Sequence, residues 1–424
     1  MNMCCLFVIL IFMVSTAGWG VGTPPLSFND ALERIIGRST AIGIQKENLQ
    51  ALRARNLSSH LSLLPTLSVQ ANHTQSKDQF EEGTGRAQSI AAVASLNLFG
   101  FGADAAAMKA ANREEEALEL SVSLTVLSEE DTATKLLVDR ILAHQTYNIL
   151  KQLRQLNDEA HRISRERFAK GLLASQEVDK IVIDLDNANA ELRDAEMIEN
   201  KALADLRARL GNEDVVLEWP WRSQFDPFAL PKTGETEIAK RPDFRQAQKK
   251  LEAAEARVRQ SFGKIFPSLD ATLSYGYSEG PNRTPGTQTT GALTLTIPLF
   301  DRLTQYGGYR AEVHSKAATE LDLERIRRDA RSDLESSKVS FEIALETSKT
   351  REKTVNTSRR LYQSNLARFQ RGLISANELA QDQTRLQHAE LFAIRGWASA
   401  HNGFARLCHA MGRQLAECLL KQSD

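Results

Sequence analysis

The sequence predicts a mainly helical chain with a small β part: long antiparallel coiled-coil hairpins and four membrane-spanning strands. Three observations lead there. A unit of about 200 residues occurs twice. Prolines are confined to a few places, and short runs of alternating polarity sit between long helical stretches.

The duplication is read from landmarks that keep their order. Phe168-Ala169-Lys170-Gly171-Leu172 recurs as Phe369-Gln370-Arg371-Gly372-Leu373. Leu98-Phe99-Gly100 recurs as Leu299-Phe300-Asp301, and Pro65-Thr66-Leu67 as Pro267-Ser268-Leu269. The first repeat spans residues 24–211, a linker 212–235, the second repeat 236–412, and a C-terminal tail 413–424. The linker carries Trp219-Pro220-Trp221, Pro227 and Pro231 and reads as a connection with local structure.

Composition bounds the function. The formal net charge is -1, which gives nucleic-acid binding no electrostatic support. Charged residues make up 25% and aromatics 6%, a balance that suits long helices packed side by side. The run Leu6 to Val14 is apolar and is followed by Ser15-Thr16-Ala17-Gly18. It is too short to span a bilayer and reads as a signal peptide over residues 1–20, cleaved between Ala17 and Gly22. No Lys or Arg precedes it, a departure from the usual pattern. Cys4 and Cys5 would leave with it, and no lipidation is expected.

The elements follow in order. Ser27 is placed to cap a first helix that runs to about Leu63 and stops before Pro65. Its counterpart follows Arg241-Pro242-Asp243 and stops before Pro267. The period then changes to two. Strands are expected at 66–74 and 89–99, and again at 268–278 and 290–299, each pair separated by a polar loop. One face carries Leu, Val, Ile and Tyr; the other carries Thr, Ser, Asn and Asp270. The lengths match tilted strands crossing a bilayer, about 9–11 residues each. A soluble hairpin lying on a helix is the other reading of these strands alone.

Ala103 to about Arg167 contains no proline. A proline in a helix interior costs about 3 kcal/mol, so one continuous helix of roughly 95–100 Å is permitted. Gly171 and Gly372 sit where a helix ends, with Lys170 or Arg371 before them. Ser175 and Ser375 are expected to cap the return helices. Ser375-Ala376-Asn377-Glu378 reads as a capping box with Ile374 stapled to Leu379, whereas Val178 stands in for the Glu in the first unit. The return helices hold a heptad. Val178, Leu185, Leu192 and Leu206 fall seven apart, interrupted by Glu199, and Leu379, Leu386, Ala393, Ala400 and Leu407 hold the same phase in the second unit.

Four strands cannot close a barrel, and an open edge cannot face lipid. Chains must pool strands. Three protomers give a twelve-stranded barrel with a water-filled lumen, and the helices extend that lumen as a tube.

The chain resembles the TolC-like outer-membrane factors (outer membrane efflux proteins). The resemblance rests on the duplicated order of Leu64-Pro65-Thr66-Leu67-Ser68 and Phe266-Pro267-Ser268-Leu269, of Asn97-Leu98-Phe99-Gly100 and Pro298-Leu299-Phe300-Asp301, and of the two Gly-Leu tips. It implies a homotrimer in outer-membrane lipid, with an α-helical tunnel in the periplasm that docks onto a periplasmic adaptor and an inner-membrane transporter. It places Lys170, Gly171, Leu172, Ser175, Arg371, Gly372, Leu373 and Ser375 at the adaptor-docking tip. It also makes Glu378 and Asp382 candidates for an acidic pore gate, although Glu378 is equally claimed by the capping box.

No catalytic constellation is present, and no cofactor or metal is expected. His401, Cys408 and His409 can share a helix side, read as a surface face rather than a metal site. Cys408 and Cys418 would be about 15 Å apart on one helix. Gly412 is placed to break that helix, which leaves a bridge open, but two unpaired thiols are the simpler reading. The expected function is a passive, gated efflux duct for small solutes, drugs or metal ions. A type I protein-secretion duct is the near alternative. A periplasmic coiled-coil adaptor or rod is the alternative from another class.

Overall fold

The computed structural model describes residues 26–62, 64–77, 84–211, 235–280 and 283–420. The predicted signal segment 1–20, the linker 212–234 with its tryptophans, and residues 78–83 of the first strand loop lie outside the described residues.

The first helical stretch is two helices, not one. Helix α1 (Phe28–Gly37) is capped by Ser27, whose Oγ accepts the Asp30 N–H at 3.2 Å. The chain breaks at Arg38, and α2 (Thr40–His60) starts at a second cap, Ser39, whose Oγ accepts the Ile42 N–H. The expected single helix to Leu63 overlooked this cap, which follows directly on the Gly37–Arg38 helix end. The break lets α1 turn Phe28, Ala31, Leu32 and Ile35 into the core.

Four strands follow the expected polarity but run longer. They are β1 (Thr66–Lys77), β2 (Thr84–Phe99), β3 (Ser268–Gly280) and β4 (Arg283–Thr296). Much of the two polar loops is therefore paired strand. Alternation marks where one face meets an apolar medium, and backbone pairing continues past that zone. β4 ends at Thr296 rather than residue 299, because Pro298 has no N–H to offer a ladder. The sheet order is β1-β2-β3-β4, antiparallel throughout, so β2 of the first unit pairs with β3 of the second.

The long helices are α3 (Ala103–Ala169) and α7 (Thr304–Gln370), 67 residues each and about 100 Å long. They return as α4 (Ser175–Leu210) and α8 (Ala376–Ala410). A short α5 (Glu235–Ile238) and α6 (Pro242–Gly263) precede β3, and α6 packs against both α3 and α7. Each strand-to-helix passage turns on two consecutive left-handed residues: Phe101 and Gly102 (φ 48° and 76°), then Arg302 and Leu303 (φ 58° and 62°). Non-glycines hold this strained backbone in the second unit. There Asp301 braces the turn, its carboxylate accepting the Gln305 N–H at 2.8 Å.

The main core lies midway along the long helices. It joins α1, α3 around Leu137 and Val138, the end of α4, Leu334 and Phe341 of α7, and Phe404 and Leu407 of α8. The tail is not featureless: α9 (Leu415–Leu420) docks into this core through Leu415 and Cys418. A smaller core near the tips joins Ile181, Tyr362, Phe369, Leu379 and Leu386.

Candidate functional site

The residues singled out from the sequence gather in two regions: the sheet at one pole and the hairpin tips at the other. The sheet register sorts side chains by face. Leu67, Ala94 and Leu273 lie opposite one another, as do Val69, Ala92 and Tyr275, and Leu96, Ala271 and Leu293. The other face aligns Thr66, Ser95 and Thr272, then Asn97, Asp270 and Thr294. On that face the Asn97 amide donates to Asp270 at 2.9 Å, and Ser268 donates to the other carboxylate oxygen at 3.3 Å. The apolar face is open: Leu67, Val69, Leu273, Tyr275, Leu293 and Leu295 are all exposed in the protomer. Gly276 permits the close β2–β3 approach, since a Cβ there would lie 2.5 Å from Ala91 Cβ and from the Ile90 carbonyl oxygen.

Among the described residues no helix is long and apolar enough to cross a membrane. The sheet edges β1 and β4 each lack a second neighbour among the described residues.

At the other pole both tips are Schellman motifs. Leu172 N–H donates to the Arg167 carbonyl and Gly171 N–H to that of Phe168; Leu373 and Gly372 repeat this with Arg368 and Phe369. Gly171 (φ 70°) and Gly372 (φ 78°) hold the left-handed residue. The motif leaves Leu172 and Leu373 pointing out, 72% and 63% exposed. Lys170 and Arg371 are the exposed C-cap residues of α3 and α7.

Residues 234–413 match the family model described as outer membrane efflux protein. The match covers the second repeat and its approach. The pyoverdine export outer membrane protein OpmQ of Pseudomonas aeruginosa is 25% identical over 427 residues, spanning 91% of this chain and 88% of OpmQ. The fold matches the CusC structure with a TM-score of 0.81 at 14% identity over 95% of both chains. It matches the Campylobacter jejuni CmeC outer membrane channel with a TM-score of 0.82 at 16% identity, over 93% of this chain and 88% of CmeC.

The second tip keeps its full cap. Ser375 Oγ accepts the Glu378 N–H and Glu378 accepts the Ser375 N–H, both at 3.3 Å. Ile374 and Leu379 meet in the tip core. The first tip corrects the sequence reading: Ala174, not Ser175, is the N-cap, and Ser175 is the first helical residue with no capping bond. Carrying the Phe168–Phe369 alignment forward pairs Ala174 with Ser375 and Glu177 with Glu378. The Glu was therefore retained one residue before Val178, and the cap was lost instead.

The two pore-gate candidates differ. Glu378 is exposed. Asp382 is only 5% exposed and faces α7, where it accepts from the Asn365 amide at 2.5 Å; on its own helix it accepts from Arg385 at 2.9 Å.

The His401, Cys408 and His409 group is not a surface face. His401 is buried between Trp397 (4.6 Å) and Phe28 (5.3 Å), and burial lowers its pKa to about 3. Cys408 is fully buried. Among the described residues no group of metal-ligating side chains gathers.

Sequence reading also missed two contacts. Glu199, the break in the α4 heptad, accepts from His144 at 2.7 Å and Arg140 at 3.3 Å across the α3–α4 seam. Arg167 joins the two tips, as described below. The first was signalled by a charged residue in an apolar phase. The second had no sequence signal, since its partner is a backbone carbonyl of the other unit.

Proposed function

We propose that this chain is the outer-membrane duct of a tripartite efflux system, assembled as a homotrimer. One observation carries the reading: a four-stranded sheet that is apolar and exposed on one face, polar on the other, and, among the described residues, unpaired at both edges. In lipid those edges must be satisfied by other copies. β4 of one protomer is then placed beside β1 of the next, and three copies close a twelve-stranded barrel around the Asn97–Asp270 face.

The helices support the same closure. Within the chain α3 packs on α8, which leaves α4 and α7 as outer flanks. Both flanks carry exposed apolar residues: Ile183, Met197 and Ile198 on α4, and Val339, Ile343 and Leu361 on α7. A ring of copies buries α4 of one against α7 of its neighbour.

The tips, with Lys170, Gly171, Leu172, Ser175, Arg371, Gly372, Leu373 and Ser375, are proposed to dock the periplasmic adaptor. Exposed leucines flanked by basic residues on a rigid turn are the supporting features. Glu378 and Asp382 are proposed as the acidic gate, with Glu378 the stronger member because it is exposed. The cargo is proposed to be a small solute, a drug or a metal ion; the curated relative OpmQ is described for pyoverdine export. No energy-transducing site is found among the described residues, so a pump supplies the work.

Planar-bilayer recording of the detergent-purified protein tests the duct. A heat-modifiable trimer that conducts ions is expected. A detergent-free soluble monomer without conductance overturns the reading in favour of a periplasmic rod.

A further inference from the structure

The C-terminal helix α9 folds back onto α8 and brings the two cysteines of the described chain together. Gly412 (φ 72°) ends α8 with a third Schellman motif: its N–H donates to the His409 carbonyl at 2.8 Å, and Arg413 N–H to the Cys408 carbonyl at 3.0 Å. The turn is crowded, since a Cβ on Gly412 would lie 2.7 Å from Pro242 Cδ. Glu130 of α3, itself buried, then accepts the Leu415 N–H at 3.1 Å and pins the start of α9. Cys408 and Cys418 end up in one core cluster with Met411 and Leu415, 0% and 5% exposed, both as free thiols.

We propose that Cys408 and Cys418 are joined by an intrachain disulfide once the chain is exported, locking α9 onto α8. The inference rests on the outer-membrane reading, because thiols meet an oxidising compartment only beyond the inner membrane. The oxidant is a protein disulfide of a periplasmic thiol oxidase. Cys418 is the first nucleophile. Its thiol pKa is lowered by the hydrogen bond to Cys408 and by the charges of Arg413 and His409, whereas burial and Cys418 raise that of Cys408. The Cys418 thiolate attacks one sulfur of the oxidant, and the other oxidant sulfur leaves as a thiolate. Cys408, which gives its proton to water before α9 closes over it, then attacks the Cys418 sulfur and expels the second oxidant thiolate. Two thiols become one disulfide, and the oxidant disulfide becomes a dithiol.

The test uses the full chain expressed with its own N-terminus in a Gram-negative host. Thiols are blocked with an alkylating agent in denaturant before cell breakage, and the outer-membrane fraction is mapped by peptide mass without reduction. The expected product is one linked peptide pair containing Cys408 and Cys418, released by reductant. Both cysteines alkylated in that fraction overturns the proposal, and so does an interchain link on a non-reducing gel. Fractionation of the same cells reads export separately, so a failure of location is distinct from a failure of oxidation. Carboxypeptidase trimming past Gly412 is expected to speed up several-fold after reduction. An unchanged rate overturns the locking role.

Discussion

The guanidinium of Arg167 donates to the Phe369 carbonyl at 2.6 Å and lies over the Phe369 ring at 4.5 Å. Arg167 ends α3 and Phe369 ends α7, so this contact binds the tip of the first hairpin to the tip of the second. The Phe369 carbonyl also accepts the Gly372 N–H of the tip turn at 2.9 Å, so the guanidinium is its second donor.

Arg167→Ala is expected to loosen the tips. The charge-assisted hydrogen bond and the ring contact together are worth on the order of 1–2 kcal/mol here. Conductance in planar bilayers should rise, and cells should become sensitive to bulky hydrophilic antibiotics. Arg167→Lys should rescue only in part, because an ammonium lacks the planar fork. Unchanged conductance in Arg167→Ala would mean that the tip core around Tyr362 and Leu386 holds the hairpins alone.

Glu378→Gln separates cap from charge. Gln retains the reach to the Ser375 N–H, so the trimer should form normally while cation preference in reversal-potential measurements declines. Asp382→Asn should instead weaken the α7–α8 seam, because it removes the charge that strengthens the hydrogen bond from Asn365 of α7. If Glu378→Gln left selectivity untouched, the acidic gate would lie elsewhere.

His409 makes the docking of α9 pH-dependent. Burial opposes its charge, but hydrogen bonds to Asp131 and Glu130 outweigh this and raise its pKa from 6.5 to about 9. The raised value stabilises the fold fully below the ordinary pKa near 6.5, and the contribution fades as pH climbs through about 9. The shift corresponds to about 3 kcal/mol. Hydrogen-exchange protection factors of residues 415–420 should fall over that window in the native protein. In His409→Gln they should be low and flat. A flat profile in the native protein would count against the ion pair.

Gly276→Ala should impair assembly by overpacking, at about 1–3 kcal/mol, because its Cβ would overlap Ala91 and the Ile90 carbonyl. Gly291→Ala is the control: the nearest atom to its Cβ would be Leu273 Cδ1 at 4.0 Å. The yield of heat-modifiable trimer should drop for the first and hold for the second. Equal yields would show that β2 and β3 can separate without loss.

The sequence alone determined the plan of this molecule. Local rules wrote it: proline-free stretches permit long helices, period-two alternation marks a sheet with one apolar face, and a Gly after a helix sets each tip. The repeated order of Pro65 and Pro267, Phe99 and Phe300, and Gly171 and Gly372 fixed how these pieces follow one another. Those rules failed where a residue's partner is distant or where two local signals compete. The Ser39 cap split a helix that periodicity joined. A one-residue slip in reading the repeat exchanged Ala174 for Ser175. Backbone pairing carried the strands beyond the reach of alternation.

Only tertiary structure decided the rest. It turned Asp382 toward Asn365 and buried His401 between Phe28 and Trp397. It joined Arg167 to a carbonyl of the opposite hairpin and folded α9 back so that Glu130 meets Leu415. Each of these depends on where helices from different units come to lie. A side chain's neighbours across a helix seam are set by packing, and chain spacing carries no record of them.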